Sequence, residues 1–105
     1  MAEVSCIRVE VVFLPTAAGG RRSLPSPGSG QYMPHLVADG GTEYLGVRFV
    51  AGPQPEFGVR SEFVVALAYH PRVDYAALAP GATFTVREGP RVVGSGRVLG
   101  REAPG

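Results

Sequence analysis

The chain contains no lysine: all ten of its basic residues are arginine, against nine acidic residues, for a formal net charge of +1. Without lysine there is no GxxxxGK[ST] string and so no P-loop, which excludes nucleotide hydrolysis of that type. The small net charge also excludes the global positive field behind strong nonspecific nucleic-acid binding, so any anionic partner must be met by a local patch. A single cysteine, Cys6, permits no intramolecular disulfide, and the start MAEVSC lacks the basic residues and continuous apolar core of a signal peptide. A cytoplasmic location is therefore expected. The longest apolar run, Phe63–Tyr69, falls far short of the roughly 20 residues of a membrane-spanning helix, so no membrane is expected as a partner.

What the chain has in quantity is turn formers: 15 glycines and 10 prolines in 105 residues, with 45% apolar and 18% charged residues. That balance suits an all-β domain with many turns better than a helical bundle. One domain over residues 1–105 is expected, able to bury roughly 60–70% of its unfolded surface and so to fold without disulfides or metals.

Alternating residues place the strands. Ile7, Val9, Val11 and Phe13 share a parity in a first strand expected over about Val4–Leu14. From Pro15 the chain reads PTAAGGRRSLPSPGSG, a long Gly/Pro/Ser/Arg loop over residues 15–31 whose Arg21 and Arg22 are a candidate contact surface. Tyr32–Val37 reads as a short strand limited by Pro34. Leu45, Val47 and Phe49 mark a third, Val59–Tyr69 a fourth, and Arg72–Ala79 is the one stretch suited to a helical turn. Residues 100–105 are expected to form a flexible tail.

Phe84–Leu99 (FTVREGPRVVGSGRVL) reads as a complete hairpin. Pro90 fixes a negative φ and rules out a type I′ turn, which leaves type II′ with Gly89 at its first position. Gly94 and Gly96 sit inside the returning strand, where glycine marks a bulge, a corner or close backbone approach, and the strand is expected to bend there. The fold class is thus a small six-stranded antiparallel barrel. Its expected core includes Val9, Val11, Phe13, Val47, Phe49, Val65, Leu67, Phe84, Val86 and Val98.

Catalytic chemistry finds little support in the residues. Cys6 with His35 or His70 supplies the residue types of a nucleophile and base, but a cysteine in an apolar strand is ordinarily a small core residue. Two distant histidines without acidic or cysteine residues at ligand spacing make no metal site. Neither catalytic residues nor a cofactor, metal or nucleotide is expected.

Three segments carry a resemblance to a known family. Arg87-Glu88-Gly89, Arg91 and Val93-Gly94-Ser95-Gly96 closely resemble the final hairpin of the C-terminal β-barrel, the third domain, of the elongation factor Tu family, which has glycine where Pro90 stands. Phe63–Pro71 (FVVALAYHP) is similar to the strand that precedes that hairpin. Gly19-Gly20-Arg21 and Gly30–His35 (GQYMPH) resemble its Gly-Gly-Arg-His loop and Pro-Gln segment, in the same order.

The resemblance implies the same barrel and two non-enzymatic roles, since the family's third domain touches the T-stem backbone of aminoacyl-tRNA and also docks other proteins. It places family tRNA-facing positions at Arg21, Arg22, His35, Glu88 and Gly89. Arg22 replaces a histidine, His35 a glutamine and Pro90 a glycine. With Arg87 and Arg91 beside these positions, an RNA-contacting module and a protein-docking barrel without an RNA ligand both follow, with structured RNA or a protein as partner.

Overall fold

The computed structural model describes residues 5–15, 24–26 and 29–102. Six strands, β1 (Cys6–Phe13), β2 (His35–Ala38), β3 (Leu45–Ala51), β4 (Ser61–Leu67), β5 (Thr83–Glu88) and β6 (Arg91–Glu102), form a closed antiparallel barrel in the order β1-β4-β3-β2-β5-β6. A single 3-10 turn at Ala76–Leu78 falls within the stretch that the sequence marked for a helical turn. No helix among the described residues is long and apolar enough to cross a membrane.

The alternating pattern translates directly into an inner and an outer wall. Ile7, Val9, Val11 and Phe13 of β1, Leu45, Val47 and Phe49 of β3, Phe63, Val65 and Leu67 of β4, and Phe84 and Val86 of β5 are all buried in one core. All the core residues expected from parity are among them or join them, Val98 included. Phe13, Phe49 and Phe63 meet at ring-centroid distances of 5.4–6.1 Å, two of the three contacts being edge-on, the arrangement that aromatic quadrupoles favour.

Closing so few strands demands strong coiling, and three register shifts supply it. Arg8 faces Gly100 while Val9 faces Val98, so Leu99 is the extra residue. Val86 faces Gly94 while Arg87 faces Val92, which leaves Val93. On β3, Phe49 faces Val65 and Ala51 faces Val64, which leaves Val50.

The glycines of β6 act through close approach. Gly96 lies opposite both Val11 and Phe84, where a Cβ would press on the Glu10 carbonyl oxygen and come within 2.9 Å of Phe84 Cζ. At Gly94 a Cβ would stand 2.8 Å from the Val12 carbonyl oxygen. Two inward positions of β6, Gly94 and Gly96, are thus left empty for the large rings across the barrel, and the bulge falls one residue earlier, at the buried Val93. In the turn of the hairpin, Glu88 pairs with Arg91 across a two-residue loop, and Gly89 has φ of +60°. A positive φ followed by proline fits the expected type II′ turn.

Element boundaries shift for identifiable reasons. The second strand begins at His35 and not Tyr32, because Pro34 has no N–H to give. Its carbonyls still serve: Phe49 N–H donates to Tyr32 O at 3.0 Å and Val47 N–H to Pro34 O at 3.1 Å. The fourth strand stops at Leu67, and Tyr69 turns outward to 45% exposure. The sixth runs to Glu102, three residues into the segment expected as a tail.

Three substitutions check this packing. Phe84→Ala should cost about 3–5 kcal/mol through lost burial plus cavity, read as a lowered urea midpoint. Gly96→Ala should cost about 1–3 kcal/mol by overpacking. Gly100→Ala, where the nearest atom to an added Cβ is the Arg8 guanidinium at 3.8 Å, should leave the midpoint within experimental scatter of the parent.

Candidate functional site

On the outer wall, the β2–β5 register sets His35 directly opposite Arg87. Thr85 precedes Arg87 by two positions and therefore shares its face. Arg87 Nε–H donates to Thr85 Oγ1 at 3.0 Å, and its Nη1 donates to the Tyr44 hydroxyl at 3.3 Å. The guanidinium carbon stands 5.6 Å from the centre of the Tyr44 ring, within cation–π range. The His35 ring meets the same tyrosine edge-on, at 5.8 Å between centroids. Tyr44 itself is 42% exposed.

The face continues across β3. Gly46, the register partner of His35, has no side chain because the Tyr69 ring lies over it: a Cβ there would stand 2.9 Å from Tyr69 Cδ2. Tyr75 holds this corner from beneath. Its buried hydroxyl donates to Gly46 O at 2.6 Å and accepts the Tyr69 N–H at 3.0 Å. Burial pushes the Tyr75 phenol above its usual pKa, a shift that the hydrogen bond from Tyr69 partly opposes.

Of the residues that the sequence singled out, the structure brings His35 and Arg87 together. Glu88 lies on the opposite parity and accepts a hydrogen bond from the Tyr32 hydroxyl at 2.7 Å, at the end of the barrel where the Tyr32 ring packs 5.3 Å from Phe49. Gly89 and Arg91 are exposed at the hairpin tip. Arg21 and Arg22 lie outside the described residues. Cys6 is on β1, separated from His35 by β4 and β3. Among the described residues no three His, Cys, Asp or Glu side chains stand together as a metal site.

Sequence reasoning missed Tyr44, Tyr69 and Tyr75. Tyr44 had a signal, since it falls on the parity opposite Leu45, Val47 and Phe49 and so faces outward. Tyr69 sits on the apolar parity of β4 and leaves it only because the strand ends early. Nothing in the local sequence distinguishes Tyr75.

Elsewhere on the outer wall three arginines are locally met. Arg97 and Arg60 approach Glu10 at 3.1 and 3.7 Å, and Arg8 approaches Glu62 at 3.6 Å. Such exposed pairs contribute little to stability, but they cancel the field these arginines could project. Away from this wall, a cleft of about 370 Å³ opens beneath residues 69–80, floored by Ile7, Leu67, Leu78 and Val98, with His70, Asp74 and Arg101 among its lining. Asp74 Oδ1 there accepts the Ala76 N–H at 2.8 Å, and His70 Nδ1 is 3.1 Å from Ser5 Oγ.

The fold and this face define a closed β-barrel with an exposed tyrosine–arginine patch on its wall. No known protein family matches the sequence, and no curated protein is similar to it.

The Tyr75 clamp is testable on its own. Tyr75→Phe should cost about 1–2 kcal/mol, chiefly because the Tyr69 N–H loses its acceptor, whereas Gly46 O keeps the Ala68 N–H at 3.2 Å. The raised pKa also sets a pH dependence. The folded state holds its proton where the unfolded phenol, with its usual pKa near 10, has lost it, so stability is full below about pH 10 and falls as pH rises through the folded value. The loss between pH 9 and 11, followed by urea midpoint, should be smaller in Tyr75→Phe than in the parent.

Proposed function

We propose that this chain is a non-catalytic docking barrel that binds a protein partner through the face built by His35, Tyr44, Tyr69 and Arg87. The observation that carries this reading is the Arg87 guanidinium held on an exposed tyrosine ring by two further hydrogen bonds. Tyrosine and arginine are the residue types that dominate protein-interface energetics. Fixing them on a barrel wall lowers the entropy lost on binding. A cytoplasmic setting goes with this reading, since the lone cysteine requires no oxidising compartment.

RNA contact is the second reading, favoured by the resemblance to the elongation factor Tu third domain and by Arg21 and Arg22. Phosphate binding needs several cations converging on one backbone, each adding about 0.9 to the salt slope. The face offers Arg87 with His35 beside it and Arg48 further along β3, with Arg91 apart at the hairpin tip, while Arg8, Arg60 and Arg97 are each drawn to a glutamate. Protein docking therefore ranks first, and a role near translation would come through such docking.

Capture from cell extract with the parent chain and a Tyr44→Ala/Arg87→Ala variant, each with and without RNase, separates the two. Docking predicts proteins that survive RNase and are lost in the variant. RNA contact predicts loss of the captured set on RNase treatment. It also predicts binding of labelled tRNA at low salt with a slope near −3, reduced when Arg21 becomes alanine.

A further inference from the structure

Arg87 is a half-buried cation with unspent hydrogen-bonding capacity. A guanidinium has five N–H donors; Thr85 takes the one on Nε and Tyr44 takes one on Nη1, which leaves three. No acidic residue among those described forms an ion pair with Arg87. Its chain neighbour Glu88 is on the other side of the strand, bonded to Tyr32.

We infer that Arg87 is a carboxylate receptor: resting on the docking reading above, the face takes a protein segment that presents an Asp or Glu side chain to the free edge of this guanidinium. Three features favour that chemistry. The hydrogen bonds to Thr85 and Tyr44 and the contact with the Tyr44 ring hold the guanidinium before any ligand arrives, so little rotamer freedom is lost when it pairs. The unspent donors include both Nη2 hydrogens and one on Nη1, donors that a carboxylate accepts in charge-assisted hydrogen bonds. Partial burial strengthens the pairing relative to a fully exposed arginine. His35 stands opposite Arg87 and puts no anion on the face.

The closed sheet limits how such a segment can lie. No strand of the barrel has a free edge, so the partner cannot add a strand and must bind through side chains on the wall. The exposed rings of Tyr44 and Tyr69 are then the apolar contacts that flank the charge.

The test uses the full chain and an array of ten-residue peptides with randomised flanks around a central Asp or Glu, with a matched set carrying Asn or Gln there. The strongest acidic binders should weaken at least tenfold on the acid-to-amide change. They should weaken as much with Arg87→Gln, whose urea midpoint should stay near that of the parent. Thr85→Val, which removes the acceptor that orients Nε, should weaken the acidic peptides several-fold and leave the amide set unmoved.

Equal binding of acid and amide peptides would overturn the assignment, as would full binding by Arg87→Gln or the absence of any binder. Displacement of the acidic peptides by a duplex RNA with a steep salt dependence would overturn it in favour of phosphate. The docking reading is judged separately: RNase-resistant partners that are lost in the Tyr44→Ala/Arg87→Ala variant but kept by Arg87→Gln would preserve docking and remove the carboxylate site.

Discussion

The barrel depends on how few atoms β6 places inside it. Six strands enclose little volume, and the interior must take the rings of Phe13, Phe49, Phe63 and Phe84 together. Gly94 and Gly96 make that possible by presenting bare backbone to Phe13 and Phe84. Large residues on the facing strands are complemented by absent side chains at Gly94 and Gly96 of the sixth, whose Val93 and Val98 still join the core, the tapering that small barrels require. Because the same glycines let β1 and β6 approach closely along Glu10–Phe13, the space they leave also serves the seam that closes the sheet.

Closure then dictates where anything can bind. A sheet with edges offers backbone donors and acceptors to a partner, whereas a closed one has only its walls, ends and loops. One wall, across β1, β4 and β6, carries charges that satisfy each other through Glu10, Arg60, Arg97, Arg8 and Glu62. The other, across β3, β2 and β5, carries exposed rings and an arginine whose contacts within the chain are to neutral oxygens and a ring. Tyr75 ties this second wall to the core, since one buried hydroxyl fixes both the backbone of Gly46 and the departure of Tyr69 from its strand.

The architecture was legible because each strand obeys a period of two, and burial on one face enforces that pattern. Hence the parity of Ile7 to Phe13 or of Phe84 and Val86 predicts the core directly. The hairpin turn was legible for a different reason: Pro90 removes one of two turn types outright. The candidate face was legible only in part. His35 and Arg87 lie far apart in sequence and were associated through their positions in a resemblance, but their partner Tyr44 is brought in by the β2–β3 connection, which local pattern does not specify. Tyr69 and Tyr75 were illegible because their roles arise from where a strand ends. That boundary is set by competition between pairing and the chain's return toward the 3-10 turn, not by side-chain periodicity.

The absence of lysine acquires a meaning at this face. An ammonium at position 87 would be a compact, strongly hydrated charge with no plane to lay on Tyr44 and no paired edge to offer a carboxylate. The guanidinium can sit within cation–π range of the ring, donate to Thr85 and Tyr44, and still keep donors for a partner. At the opposite wall the same residue type lets Arg60 and Arg97 share Glu10, a job a lysine could do nearly as well. Position 87 is therefore where the choice of arginine matters most: of the described arginines without an acidic partner, it is the one anchored to Thr85 and Tyr44 at once.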